Sequence, residues 1–139
     1  MKINTISPQD NKYLQIITSI AISPNKLYFI GMLPKERRPT VAIVGSRRPT
    51  TYGKEVTHNL AYDLAKRGVV IISGLALGVD GIAHRAALDA GGTTLAVLAN
   101  GLDTIYPASH RDLAASIVAQ GGAIISEYEP TIEARGFQF

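Results

Sequence analysis

Apolar residues in this chain fall into short uninterrupted runs, separated by stretches with helical spacing. Val41–Gly45, Val69–Ser73, Thr93–Ala99 and Ala123–Ser126 are the runs. They are apolar throughout rather than alternating, as in strands covered on both faces. After the first run, Thr50–Gly53 leads into a helix reaching Arg67, with Val56, Leu60, Ala61, Leu64 and Ala65 on one face and Gly68 ending it. A second helix is expected from Asp80 to Ala90, with Ile82, Ala83, Ala86 and Ala87 turned inward and Asp80 capping it or holding the loop before it. A third runs from a Ser109 cap to Gln120, where Gly121 and Gly122 stop it. Strand and helix alternate, which predicts an α/β fold: a doubly wound, mostly parallel sheet with right-handed crossovers, in three α/β/α layers.

The N-terminal part is less regular. Residues 7–20 open on Ser-Pro and place Tyr13, Leu14, Ile17 and Ile20 near one helical face. Lys26–Ile30 is a strand candidate ended by Gly31, and Leu33–Thr40 is a polar, proline-bounded linker. The expected division is a helix/strand lead-in with a basic linker over residues 1–38 and a main unit over residues 39–139.

Composition narrows the class. A hydrophobic share of 46% excludes a disordered chain, and 139 residues suffice to bury a core. The balance of 14 Lys+Arg against 11 Asp+Glu is too mild to imply nucleic acid, so the placement of charge must carry that argument. With no cysteine there is no disulfide, thiolate metal site or thiol nucleophile. The first residues contain no apolar signal-peptide core, and the apolar runs are far shorter than a membrane span. A soluble cytoplasmic protein is expected.

The chemistry gathers where the strands end. In a parallel sheet these turns lie side by side at the carboxyl edge, where ligands bind. Gly45, Ser46, Arg47 and Arg48 follow the first strand; Arg47 offers a planar, permanently charged fork, and Ser46 and the next helix N-terminus offer further phosphate donors. The plain alternative is a solvated arginine pair beside an ordinary turn. Gly74, Ala76 and Gly78 follow the second strand, either to admit a ligand to the backbone or to pack strand on helix tightly. Asn100 and Gly101 follow the third, and Tyr106 is placed either to stack on a base, a contact worth about 1–3 kcal/mol, or to pack against the core. Asp80 and His84 share a helical face, as structural hydrogen-bonding groups or as a general-base pair. His58 and His110 have no metal-ligand spacing, and no metal or cofactor is expected. Lys35, Arg37 and Arg38 belong at the opposite, amino edge. The dinucleotide fingerprint is absent, and Gly53-Lys54 is followed by Glu55 where a P-loop needs Ser or Thr.

Several spaced motifs together resemble the DNA-processing protein A family (DprA, also called Smf). They are V-A-I-V-G-S-R at 41–47, Y-G at 52–53, S-G-L-A-x-G-V-D-x-x-A-H at 73–84, A-L at 87–88, G-L-D-x-I-Y-P at 101–107 and I-S-E at 125–127, with P-x-x-L-Y-x-x-G at 24–31 as a lead-in. The resemblance implies an extended Rossmann-like domain that binds single-stranded DNA without turnover, in natural transformation and in loading the RecA recombinase. It implies a basic backbone pocket at Gly45, Ser46 and Arg47, with the Gly74–Gly78 turn beside it; a homodimer is a separate expectation. Members of the family continue with an R-N-R-I-I-containing segment that these residues lack. A fragment or a pared-down relative is therefore expected, with Phe137 and Phe139 covered by something else. Two other functions use a similar sheet. A nucleotide-sensing module needs the same phosphate turn. A LOG-type nucleoside-monophosphate phosphoribohydrolase needs P-G-G-x-G-T-x-x-E, which neither Gly91-Gly92 nor Gly121-Gly122 supplies.

Overall fold

The computed structural model describes residues 1–134; Phe137 and Phe139 lie outside the described residues. Six strands form one sheet: β1 (Asn4–Ile6), β2 (Leu27–Gly31), β3 (Thr40–Ala42), β4 (Val70–Ser73), β5 (Thr94–Val97) and β6 (Ala123–Ser126). Their spatial order is β1-β2-β6-β5-β4-β3. The last four are mutually parallel, paired Val41 to Ile71, Ile72 to Leu95 and Ala96 to Ile124. β2 lies antiparallel to β6, with Phe29 opposite Ile125, and β1 antiparallel to β2. The α/β class and the mostly parallel sheet are those expected. Residues 1–38, expected as a lead-in, supply two strands of the same sheet.

The helices are α1 (Thr51–Lys66), α2 (Val79–Asp89) and α3 (Arg111–Ala119). All three pack on one face of the sheet. Ile71 meets Ala61, Ala65, Ala83, Ala86 and Ala87 there, and Ala96 and Ile124 meet Leu88, Leu113 and Ile117. The reason is the strand order. β3 to β6 never reverse direction across the sheet, so every right-handed crossover lands on the same side. The second helical layer of a doubly wound sheet is accordingly not built by the described residues. Tyr13 and Leu14 pack instead on the side chains of Val70, Leu95 and Ile125. Beside them runs an apolar groove of about 750 Å³ that includes Ile17, Ile20, Leu95 and Val97.

The segment over 7–20 forms two short 3-10 turns, Pro8–Asp10 and Gln15–Ser19, rather than one helix. Side chains compete for its backbone: Asn11 Oδ1 accepts from the Leu14 N–H at 2.9 Å, and the Thr18 and Ser19 hydroxyls donate to the carbonyls of Gln15 and Ile16. Ile20, expected inward, is 53% exposed. In α1 the buried face is Thr57, Ala61 and Ala65, while Val56 and Leu60 are exposed. Small side chains let α1 approach the alanines of α2 closely, and Thr57 tolerates burial because its hydroxyl donates to the Gly53 carbonyl at 2.7 Å. Thr50 caps α1 by accepting from the Gly53 N–H at 3.0 Å. Ser109 caps nothing; it sits inside the 3-10 turn Ala108–His110, and His110 precedes the first residue of α3. Among the described residues no helix is long and apolar enough to cross a membrane.

Candidate nucleic-acid interface

Parallel alignment brings the turns after β3, β4 and β5 to one rim. β3 leaves its ladder early: Ile43 N–H still donates to the Ile72 carbonyl at 2.9 Å, and the Ser73 hydroxyl donates to the Ile43 carbonyl at 2.6 Å. From Val44 onward the chain rises to the surface, and Gly45, Ser46, Arg47 and Arg48 are all exposed. This turn lies directly on the next one. The Val79 N–H donates to the Ser46 carbonyl at 3.0 Å. Gly78 has φ +81°, and a Cβ there would run into the Ser46 carbonyl oxygen and the Arg47 backbone. Its lack of a side chain permits the close packing of the two turns, and Gly78 does not line the notch at this rim. Gly45 likewise packs on the Val79 side chain.

Arg47, Gly74, Ala76, Leu77, Tyr106 and Pro107 line one notch of about 40 Å³. Four of the expected site residues are therefore brought together: Arg47, Gly74, Ala76 and Tyr106. Leu77 and Pro107 lie in stretches expected at this rim but were not singled out, because no residue-type rule marks an aliphatic side chain or a proline as a wall. Ser46 and Arg48 stand at the same rim without lining the notch; the Ser46 hydroxyl is engaged by the Arg48 N–H at 3.0 Å. Tyr106 is 43% exposed and so is not a core tyrosine.

Asn100 and Gly101 are placed differently from their expectation as ligand contacts. Asn100 is 1% exposed; its side-chain Nδ2 donates to the Gly101 and Thr104 carbonyls at 2.9 and 2.8 Å, and its main-chain carbonyl accepts from the Ser126 hydroxyl at 2.7 Å. It shapes the loop from within. Gly101 is buried under the backbone of Glu129 and Pro130, with its N–H donating to the Ile132 carbonyl at 2.8 Å.

Asp80 and His84 do not form a pair. The Asp80 carboxylate accepts from the Gly74 N–H at 3.0 Å, so it holds the turn, while Gly78 occupies the cap position of α2. His84 is fully buried; its Nε2 accepts from the Leu75 N–H at 3.3 Å and its Nδ1–H donates to Thr94 Oγ1 at 2.7 Å. Burial pushes its pKa down to about 3, and the neighbouring His110 and Arg85 add to the effect. A histidine held neutral and doubly bonded is a structural element, not a general base. His110 was weighed only as a metal ligand and set aside; it is 5% exposed and its Nδ1–H donates to the Leu75 carbonyl at 2.6 Å. Its place just past the Tyr106-Pro107 pair was the available signal.

The second basic cluster lies at the opposite edge, as expected. Arg38 donates to the Gly68 carbonyl at 3.2 Å and to Thr93 Oγ1 at 3.4 Å, next to the amino ends of β4 and β5. No cluster of metal-ligating residues occurs among the described residues.

Fold and rim define an open-sheet α/β protein with its candidate binding notch at the carboxyl ends of parallel strands. The chain belongs to the family of DNA recombination-mediator protein A, whose profile matches residues 4–139. It is 44% identical over 116 residues to Protein Smf of Escherichia coli, covering 84% of this chain and 31% of that one. It is 37% identical over 140 residues to DNA processing protein DprA of Bacillus subtilis, covering 99% of this chain and 46% of that one. The chain thus spans about a third to a half of the curated relatives it matches. Among solved structures it resembles DprA of Streptococcus pneumoniae, with TM-score 0.82, 33% identity and coverage of 99% of this chain and 48% of that one. It also resembles DNA processing protein A of Helicobacter pylori, described for its single-stranded DNA binding mode, with TM-score 0.80, 36% identity and coverage of 99% and 61%.

Proposed function

We propose that the carboxyl rim of this chain binds the sugar-phosphate backbone of single-stranded DNA in DNA processing, without turnover. The observation that carries the reading is the notch that joins Arg47 to Gly74, Ala76 and Tyr106. Its volume of about 40 Å³ exceeds the roughly 10–15 Å³ that holds one water and is far below the roughly 300–1,000 Å³ of small-molecule pockets. Such a space accepts a phosphate oxygen but not a nucleobase. A base attached to that phosphate stays outside, where Tyr106 offers a face for stacking. A sensor that encloses a whole nucleotide needs a larger cavity, and a phosphoribohydrolase needs the catalytic carboxylate motif that the sequence lacks. Membership of a recombination-mediator family and likeness to a single-strand-binding relative support the same reading. Loading of RecA and homodimer formation extend it to the whole family protein.

The test is a salt-dependent titration of oligo-dT against duplex DNA. Two rim arginines predict a slope of log K on log salt of about −1.4 for single strands. Arg47→Ala should weaken binding and reduce that slope by about 0.7. Affinity should rise from a mononucleotide to an oligonucleotide. Equal affinity for both, or an unchanged Arg47→Ala titration, refutes the assignment.

A further inference from the structure

Two buried histidines converge on a single residue of the turn after β4. Leu75 is fully buried and has φ 63°, the one positive φ outside glycine among the described residues. A leucine holds that conformation only where its surroundings enforce it. Both of its backbone groups are gripped by side chains: the N–H by Nε2 of His84 at 3.3 Å, the carbonyl by Nδ1–H of His110 at 2.6 Å. An imidazole that accepts at Nε2 and is neutral carries its proton at Nδ1. His84 therefore donates to Thr94 Oγ1, whose hydroxyl in turn donates to the Ile71 carbonyl at 2.8 Å. A carbonyl can only accept, so His110 too is protonated at Nδ1. One clamp is anchored in the sheet through β5 and β4, and the other comes from the far side of the notch.

That second origin matters. His110 closes the 3-10 turn that begins at Ala108, immediately after Tyr106 and Pro107. Those two residues form one wall of the notch, and Gly74, Ala76 and Leu77 form the other. The bond from His110 to Leu75 therefore ties the segment that carries one wall to the turn that carries the other. Gly81 of α2 leaves room for the ring: a Cβ there would stand 2.8 Å from Cε1 of His110.

We propose that His84 and His110 are positioning residues for phosphate binding, a two-histidine clamp on Leu75 in which His110 sets the separation of the notch walls. The proposal rests on the reading of the rim as a DNA-backbone site. It is tested on the chain with oligo-dT, comparing His110→Phe, which keeps a ring but has no donor, with His110→Asn, whose Nδ2 can reach the same carbonyl. His110→Phe should weaken binding about five-fold, the effect of one lost hydrogen bond, at an unchanged salt slope, and His110→Asn should recover most of the affinity. Retained affinity in a folded His110→Phe overturns the clamp. If His110→Phe does not fold, the unsubstituted chain decides: at saturating oligo-dT the Leu75 amide and the His110 ring resonances should shift together with the Gly74 and Ala76 amides. A response of the glycine turn with His110 unmoved overturns the clamp as well. Arg47→Ala, run in parallel, separates the two failures: if it binds like the parent chain, the site reading falls, whereas if it alone weakens binding, only the clamp does.

Discussion

Acid should unfold this protein partly through His84, and the effect can be isolated. His84 has no exposed surface, and its pKa in the fold is about 3 against 6.5 for an ordinary histidine. Protonation would put a charge where water cannot reach, and it would turn Nε2 from acceptor to donor against the Leu75 N–H. The folded pKa lies below the unfolded one, so the unfolded chain binds the extra proton. Stability from this group is complete above pH 6.5 and is lost as pH falls from 6.5 toward 3. At about pH 5 the loss is about 2 kcal/mol, from roughly 1.5 pH units at 1.36 kcal/mol each. In a domain of this size that corresponds to roughly 5–10 °C in Tm. The assay is urea or thermal unfolding at about pH 7.5 and about pH 5 for the parent chain and His84→Gln. Glutamine Oε1 can accept from the Leu75 N–H but does not titrate. His84→Gln should be less stable at neutral pH, through its lost bond to Thr94, yet lose about 2 kcal/mol less on acidification. Carboxylates contribute equally to both proteins and cancel in that difference. Equal acid sensitivity of the two refutes the reasoning.

Three further outcomes follow from particular contacts. Gly78→Ala forces a Cβ into the Ser46 and Arg47 backbone, so urea unfolding should show a loss of at least ~2 kcal/mol, and oligo-dT binding should fall with it. Asn100→Ala removes two donated hydrogen bonds inside the loop and should cost about 2 kcal/mol in the same assay; measured well below its unfolding midpoint, its DNA affinity should drop less than that of Arg47→Ala, because Asn100 is buried. Tyr13→Phe deletes a 2.7 Å bond to Thr40 on the face opposite the helices; it should cost ~1 kcal/mol with an unchanged denaturant slope and leave oligo-dT binding as it was.

The parallel part of the fold was legible because its signals are local. A run such as Val69–Ser73, a glycine at its end and a helical stripe after it specify a βα unit without reference to the rest of the chain. What failed depended on local side-chain bonds that apolar spacing does not register, or on partners distant in sequence. The apolar spacing of Tyr13, Leu14, Ile17 and Ile20 fits a helix, but the bonds that Asn11, Thr18 and Ser19 make to nearby backbone favour 3-10 turns. Val56 and Leu60 outrank Ala61 and Thr57 in hydrophobicity, yet α1 turns its smallest residues inward because α2 meets it there with alanines. The placement of β2 beside β6 leaves no mark in either strand, since Phe29 and Ile125 would suit many neighbours.

The site divides along the same line. Residue type pointed to Arg47, Gly74, Ala76 and Tyr106, and the notch unites them. The same motif letters also cover residues that hold the turns from inside, and of these all but the half-buried Gly78 are buried. Asp80 holds Gly74, His84 and His110 hold Leu75, Asn100 holds its own loop, and Gly78 seats one turn on the other. Fixing each strand of the rim from inside has an electrostatic consequence. A rigid notch needs few surface charges to localise a phosphate, because no loop has to be ordered when the ligand arrives. On the proposed reading, a chain with a net charge of only +3 suffices because two of its cations, Arg47 and Arg48, stand where the turns converge, while Arg38 lies at the other end of the sheet. Charge count therefore says little about this rim, and the hydrogen bonds beneath it say most.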